Sequence, residues 1–254
     1  HLRAHDLEVE VDNPHVGSHY QDHPFYIMNW ETSVKGTLAE AESLKQLANY
    51  MAFGRGLLTS TVAEGTAFLR TRSDLPAPDL QLHFGAAYFH NHGFDTHPQP
   101  AFAIAPTLVA PASRGHIRLR SADPQEHPSI VGNHLTEQAD VDAMLTGMAL
   151  ARDIVAQHAM NGARGPEIHP GIEATSRAEL EYALRQETDL IYHPTSTARM
   201  GEPGQGVVDA QLAVHGVASL RVVDASVFPT IPRGNTNAAT YMVAEKAADL
   251  IRGR

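Results

Sequence analysis

Apolar residues along this chain recur with two periods, which separate predicted helices from predicted strands. A helical period over residues 37–53 predicts a helix that ends at Gly54. Three further helices are predicted, over TEQADVDAMLTGMALARDIVAQHAM, SRAELEYALRQET and the closing GNTNAATYMVAEKAADLI. In the third helix, Ser176 and Glu179 have the spacing of a capping box.

Shorter apolar or alternating segments bounded by proline and glycine predict β-strands. They are HLRAHDLEVEV at the start, PDLQLHF, AFAIAPTLVAP and GHIRLRS in the middle, and VASLRVVDASVFPTI near the end. In the last segment, Leu220, Val222 and Val223 have the pattern of a buried strand that ends in Asp224. The order of elements predicts an antiparallel sheet with helices packed on it, followed by a strand and a helix.

Composition narrows the possible partners. The formal net charge is −10 and the 19 basic residues are dispersed, so we expect no cationic face and no nucleic-acid partner. The longest apolar stretch, residues 101–112, contains two prolines and is too short to cross a bilayer, so we expect no membrane span and, by default, a cytoplasmic location. The absence of cysteine excludes disulfides, thiolate nucleophiles and sulfur-ligated metals.

Small polar residues form the start of the last predicted helix: Asn235, Thr236 and Asn237. Such side chains commonly cap a helix, and capping alone is a sufficient reason for them. Alternatively, the exposed amides and the positive end of the helix dipole face an anionic ligand. The helix start alone does not decide between these interpretations.

The segment YHPTSTARMG, residues 192–201, contains a histidine before a proline in a loop of small residues. The pKa of histidine lies near neutrality, so His193 can accept a proton in a reaction. The chain has 16 histidines, and any one of them is most often a structural or surface residue. The small-residue loop around His193, which is otherwise uncharged from Tyr192 to Ala198, favours the chemical role.

Three motifs near the end, YHPTSTARMG, VVDAQLAVHGVASLRVVDASVFP and GNTNAATYMVAEKAADLI, in this order and spacing, resemble the C-terminal part of the glucose-methanol-choline (GMC) flavoprotein oxidoreductases. Upstream, DNPHVGSHYQDHP, LLTSTVAEGTAFLRT, PDLQLHF and SRGHIRLRSADPQEHPSIVGNHL resemble further segments of that family, so the resemblance covers nearly the whole chain. It is nearest to choline-dehydrogenase-like members.

The resemblance implies an α/β (α+β) fold, with an antiparallel-sheet substrate domain and the C-terminal strand–helix part of a Rossmann-like FAD-binding domain. Residues 1–24 would end the first FAD-binding segment. Residues 25–187 would form the substrate-binding domain, and residues 188–254 the active-site motif and the returning FAD-binding segment.

The resemblance also implies that the enzyme oxidises an alcohol to an aldehyde or ketone. In that reaction His193 would accept the hydroxyl proton as general base, Asn235 would hold the substrate oxygen, and hydride would pass to flavin N5. FAD contacts are implied for Tyr192, Asp224, Ala225, Asn235 and Thr236, and substrate contacts for Phe84, Tyr88 and His90. Without the resemblance, Asp224 is interpreted as a turn cap.

A cluster of histidines, His83, His90, His92 and His97, suggests a metal site at first sight. No carboxylate or cysteine completes a recognisable ligand set in the sequence, so we predict no metal.

The sequence lacks the segments that are typical of the amino-terminal half of family members. No GxGxxG motif follows a predicted strand, and the chain does not start with methionine, so we expect it to begin within a longer protein. The expected partner is an N-terminal half with the dinucleotide-binding motif, in the same gene product or in a second chain. Two alternatives stay open: an FAD-containing lyase of the same family that cleaves cyanohydrins, and a non-catalytic fragment, against which the intact His193 and Asn235 argue.

Overall fold

The computed structural model describes residues 1–253, which form two compact units. The first unit contains residues 1–23, 109–137 and 190–253, and the second contains residues 24–108 and 138–189. Two limits of these units fall near the predicted domain boundaries after residues 24 and 187. Residues 109–137, by contrast, group with the two ends of the chain, whereas the sequence placed them in the substrate-binding domain. The predicted domain boundaries, and the cofactor and substrate roles of the units, stay predictions.

Both helices and strands contribute to the fold. The strands are β1 (Ser18–Tyr20), β2 (Pro24–Phe25), β3 (Met28–Glu31), β4 (Ala63–Leu69), β5 (Leu80–Gly85), β6 (Ala101–Leu108), β7 (Gly115–Arg118), β8 (Ser129–Val131), β9 (Glu167–His169) and β10 (Asp189–Leu190). The α-helices are α1 (Leu44–Phe53), α2 (Gln138–Ala156), α3 (Arg177–Glu187) and α4 (Asn237–Arg252). The predicted mixed α/β class with antiparallel sheets is confirmed.

The second unit is built on a seven-stranded antiparallel sheet. Its central strand, β6, is buried along its whole length and has paired neighbours on both of its edges. On one edge it pairs with β5, and β5 pairs with β4; on the other edge it pairs with β2 and β3. Strand β9 then pairs with β3, and β10 completes the sheet. Helix α2 packs on β5 and β6.

Close packing between α2 and the sheet requires a glycine. A Cβ atom added at Gly147 would lie 2.7 Å from the Cβ of Pro106 and about 3 Å from the methyl groups of Leu80. Gly147 therefore allows the helix to approach the sheet more closely than an alanine would.

We expect Gly147→Ala to destabilise the protein. Overpacking of a core typically costs about 1–3 kcal/mol, and the better helix propensity of alanine, about 1 kcal/mol, offsets only part of it. Urea unfolding would measure the loss. Gly162→Ala is the control, because a Cβ at Gly162 meets nothing within 4 Å. Equal stability of the two variants would contradict this account of the packing.

In the first unit, strands β1, β7 and β8 form a three-stranded sheet. A separate apolar cluster lies under α4, where the buried Val243 and Ala247 pack with Val207, Val227 and Phe228. The polar face of α4 stays exposed, as its sequence pattern predicts. This cluster anchors the helix whose first residues are candidates for the functional site.

Two of the predicted strands are wrong. Leu2–His5 forms a short 3₁₀ helix, and within residues 1–253 no strand follows it before Ser18, although the exposure of residues 7–10 alternates as predicted. Residues 220–223 make only an isolated bridge, from Arg221 to Ala213, and Leu220 is 49% exposed. A strand needs a neighbour along its length to satisfy its backbone, and apolar alternation alone does not supply one.

The helix predictions are largely confirmed. Helix α3 begins with the predicted capping box, in which the Ser176 side chain accepts the Glu179 N–H. The predicted helix over residues 37–53 is divided into a 3₁₀ turn at Leu38–Glu40 and helix α1, which ends at Gly54 in the left-handed region with φ 61°. None of the helices described here is long and apolar enough to cross a membrane.

Candidate active site

The loop that carries His193 is held against a buried stretch near the start of the chain, residues 21–23. Thr195 donates its backbone N–H to the carbonyl of Gln21 at 2.9 Å, and Gln21 donates in return to Thr195 at 3.2 Å. Ile191 donates to the carbonyl of His23 at 3.2 Å. These three bonds surround His193 on both sides and fix the path of its backbone.

Residues on both sides of His193 have left-handed backbone conformations. Tyr192 has φ 61° and Ser196 has φ 72°, and neither is a glycine. Such conformations cost about 1–3 kcal/mol each and persist only where the surrounding structure enforces them. Here the hydrogen bonds to residues 21–23 enforce them, and strain of this kind is typical of functional sites.

The buried carboxylate of Asp22 is the second support of His193. Its Oδ1 accepts the backbone N–H of His193 at 2.8 Å and that of His23 at 2.7 Å, while the Tyr20 hydroxyl donates to its Oδ2 at 3.3 Å. Burial, together with this negative charge, raises the pKa of Tyr20 to about 12. Tyr20 therefore stays protonated and remains a donor to the carboxylate.

Burial also sets the charge of the His193 imidazole. It lowers the pKa of His193 below the ordinary value of 6.5, and the negative charge of Asp22 opposes this shift without overcoming it. His193 is consequently neutral at neutral pH. A neutral imidazole has one nitrogen lone pair with which to accept a proton.

Gln21 connects the His193 loop to the segment that precedes α4. Its side-chain Oε1 accepts the backbone N–H of Ile231 at 3.2 Å and the hydroxyl of Ser196 at 3.4 Å, and the residue is only 2% exposed. Ile231 lies four residues before Asn235. One buried side chain thus ties together two parts of the chain that are far apart in sequence.

His193 and Asn235 line the same cleft, whose volume is about 590 Å³. The cleft is lined by Ile191, Tyr192, His193, Asn235, Thr236, Asn237, Thr240, Tyr241 and Ala244. Four of the residues predicted from sequence, Tyr192, His193, Asn235 and Thr236, therefore come together in the first unit. Their catalytic and cofactor-binding roles stay predictions.

The start of α4 presents free backbone donors to this cleft. The Thr236 side chain makes no capping bond, and its carbonyl accepts the Thr240 N–H at 2.9 Å. Within residues 1–253, the backbone N–H groups of Asn235, Thr236 and Asn237 have no hydrogen-bond partner, and neither does the Asn235 carboxamide. Side-chain capping therefore does not account for these residues, and the donors fit an anionic or electron-rich ligand group.

Asp224 and Ala225 occupy a turn before this region. The exposed Asp224 side chain accepts the Ser226 N–H at 2.8 Å and caps the 3₁₀ turn Ala225–Val227. This is the turn-cap interpretation that the sequence left open. Contacts of Asp224 and Ala225 with a cofactor stay predictions.

The predicted substrate residues Phe84, Tyr88 and His90 all belong to the second unit. Phe84 lies on β5 with its ring centroid 6.0 Å from that of Phe102. The Tyr88 hydroxyl is 3.1 Å from Nε2 of His169, and His90 Nδ1 is 2.7 Å from Asp95 Oδ2. Their contact with a substrate stays a prediction.

The second unit also brings together His90, His169 and Glu187, whose ligand atoms lie within 4.8 Å of one another. The two imidazole rings are stacked, with centroids 4.2 Å apart and planes 8° from parallel. Because a nitrogen lone pair lies in the plane of its ring, two parallel stacked rings do not direct their lone pairs at one point. The three groups would have to rearrange to bind one ion, and the absence of a metal stays a prediction.

Three residues of the site were missed by the sequence analysis: Gln21, Asp22 and His23. They stand in the segment DNPHVGSHYQDHP, which was quoted only for its resemblance. A run of three polar residues directly before the apolar strands β2 and β3 was the available signal. Their burial, between 0% and 3% exposed, identifies them in the structure.

Comparison with known proteins defines the family. A family model described as GMC oxidoreductase matches residues 111–244. The chain is 38% identical over 257 residues to an oxygen-dependent choline dehydrogenase of Paraburkholderia phymatum, and the match covers all of this chain and 45% of that protein. It is 39% identical over 255 residues to an uncharacterised GMC-type oxidoreductase of Mycobacterium bovis, covering 99% of this chain and 48% of that protein.

A solved structure agrees with these relatives. Formate oxidase of Aspergillus oryzae, in a structure that concerns its FAD modification, superposes with a TM-score of 0.91 at 28% identity. The superposition covers 99% of this chain and 50% of the oxidase. The fold and the relatives together define a flavoprotein oxidoreductase class.

The chain belongs to the GMC oxidoreductase family. It spans about half the length of the curated relatives that it matches. The resemblance found in the sequence is thereby confirmed, and so is FAD as the cofactor of the family.

Proposed function

We propose that this chain contributes the proton-accepting half of an active site that oxidises an alcohol to an aldehyde or ketone with FAD. The observation that carries the proposal is the shared cleft of a neutral His193 and an unpartnered Asn235 carboxamide. The relatives named above support the reaction class, because they include a choline dehydrogenase.

His193 is the general base in this proposal. Nδ1 of His193 lies 2.9 Å from Nδ1 of His23, whereas no group in the described chain bonds Nε2. Nε2 is therefore the nitrogen that accepts the proton of the substrate hydroxyl. The lowered pKa keeps this nitrogen unprotonated at neutral pH.

Asn235 orients the substrate in this proposal. Its exposed carboxamide has no partner among residues 1–253 and can donate an N–H to the substrate oxygen as negative charge develops there. Such a donor acts most strongly when its position is set before the reaction, and the backbone of Asn235 directly precedes Thr236, the N-cap of the 16-residue helix α4.

The free N–H groups at the start of α4 fit the cofactor of the family. With the helix dipole they would stabilise negative charge on the edge of the flavin ring. FAD, when bound, supplies the acceptor for the hydride of the carbinol carbon. Since the sequence has no GxGxxG motif, we propose that an N-terminal part, in the same polypeptide or in a second chain, holds the adenine and pyrophosphate.

Anaerobic mixing of the holoenzyme with alcohols tests the function; the holoenzyme is this chain together with its N-terminal part and FAD. We expect a primary alcohol, with choline as the first candidate, to bleach the flavin absorbance. A tertiary alcohol is the matched control, because it has no carbinol hydrogen to transfer. A flavin that stays oxidised with every alcohol, in a protein that cleaves a cyanohydrin, would instead identify the lyase.

A further inference from the structure

The imidazoles of His193 and His23 are directly connected. Their Nδ1 atoms are 2.9 Å apart, and the rings are nearly perpendicular, at 87°, with centroids 5.1 Å apart. A hydrogen bond between two such nitrogens has one proton, so one Nδ1 is the donor and the other is the acceptor. Which ring donates determines whether Nε2 of His193 can act as a base.

The two rings are held together by a common anchor. The backbone N–H groups of both residues donate to the same oxygen, Oδ1 of Asp22, at 2.7 and 2.8 Å. His23 is fully buried, with 0% of its surface exposed. The backbones of the two residues cannot separate without breaking a charge-assisted bond to a buried carboxylate, and this keeps the two rings within reach of each other.

We propose that His23 is a positioning residue for His193: its Nδ1 accepts the Nδ1–H of His193 and so keeps the lone pair of that imidazole on Nε2, at the cleft. The proposal rests on the proposed function of His193 as general base. If the bond ran the other way, with His23 as donor, Nε2 of His193 would carry the proton and could not accept another.

The same bond acts during the reaction. When Nε2 accepts the hydroxyl proton, His193 becomes an imidazolium that still donates its Nδ1–H to the neutral His23. The bond then becomes charge-assisted and stronger, and no proton has to move between the two rings. Three groups act on this charge: the carboxylate of Asp22 stabilises it, the His23 ring accepts the Nδ1–H, and the Tyr20 hydroxyl donates to Asp22.

Two substitutions at position 23 separate positioning from packing. His23→Asn places an amide oxygen near the position of Nδ1 and keeps an acceptor, whereas His23→Leu fills similar space without one. In the holoenzyme we expect His23→Leu to slow flavin reduction by an alcohol about ten- to a hundredfold, by analogy with the loss of a partner that orients a metal-bound imidazole. His23→Asn should recover most of that rate, and the KM should change little in either variant.

The pH profile of the reduction rate gives a readout that packing would not change. We expect the acid limb of His23→Leu to lie at lower pH than that of the wild type, because the imidazolium has lost its acceptor. Equal loss of rate in both variants with an unchanged profile would overturn the proposal, and so would an unchanged rate in His23→Leu.

The tautomer can be measured without any turnover. In ¹⁵N NMR of histidine-labelled wild-type protein, we expect His193 to have a protonated Nδ1 and an unprotonated Nε2. The opposite tautomer would overturn the role of His23 even if alcohol oxidation is confirmed. If instead no alcohol reduces the flavin but this tautomer is seen, the proposed function fails while the positioning by His23 stands.

Discussion

Replacing His193 by asparagine is expected to lower the rate of flavin reduction by an alcohol about a hundred- to ten-thousandfold, the usual contribution of a general base. Asparagine keeps an N–H near the position of Nδ1 and can still bond to His23, but it has no atom at the position of Nε2. The variant therefore removes the proposed proton acceptor and leaves its support in place. Anaerobic stopped-flow spectroscopy of the holoenzyme measures the loss.

The acid limb of the wild-type rate adds a second measurement to this prediction. The base form is lost as the pH falls through the pKa of His193, which burial places below 6.5, so the rate should fall only below that pH. The limb should be absent from His193→Asn. His158→Asn is the control, since His158 is exposed and is not among the residues that line the cleft. A His193→Asn enzyme as fast as this control would contradict the proposed role.

Asn235→Ala is expected to lower the rate constant of flavin reduction about a hundredfold, the lower end of the range for losing one preorganised donor to a developing negative charge. The variant removes the free carboxamide but leaves the backbone N–H groups of α4. Because the bond to the oxygen strengthens as the proton leaves, the loss should fall on the rate constant more than on the KM.

Asn235→Ala also has a matched control. Asn161→Ala removes an exposed carboxamide from a turn after α2, where its side chain makes no hydrogen bond in the described structure. It should reduce flavin at the wild-type rate. If Asn235→Ala raises only the KM, the residue contributes to binding alone and not to the chemical step.

Local patterns were sufficient for much of the fold. The capping box at Ser176 and the apolar run of β6 could be predicted from the sequence, because caps and buried strands are recognised over a few neighbouring residues. The strands predicted at the start of the chain and over residues 220–223 failed for the opposite reason. A strand depends on a partner that no local pattern supplies.

The same difference between local patterns and distant partners decides which residues of the candidate site could be predicted. Motifs near the end of the chain pointed to His193 and Asn235 because each stands in a recognisable loop or helix start. The importance of Gln21, Asp22 and His23 was not visible, since their partners lie some 170 or more residues away in sequence. Only the folded chain shows that these polar side chains are buried and to which groups they bond.

The family, its cofactor, the proposed base His193 and the proposed orienting residue Asn235 can be read from the order of amino acids, because short motifs record local chemistry. The charge state of His193, the free donors of α4 and the link between the two imidazoles cannot be read in that way. They arise from burial and from hydrogen bonds between distant segments, and these exist only once the chain has folded.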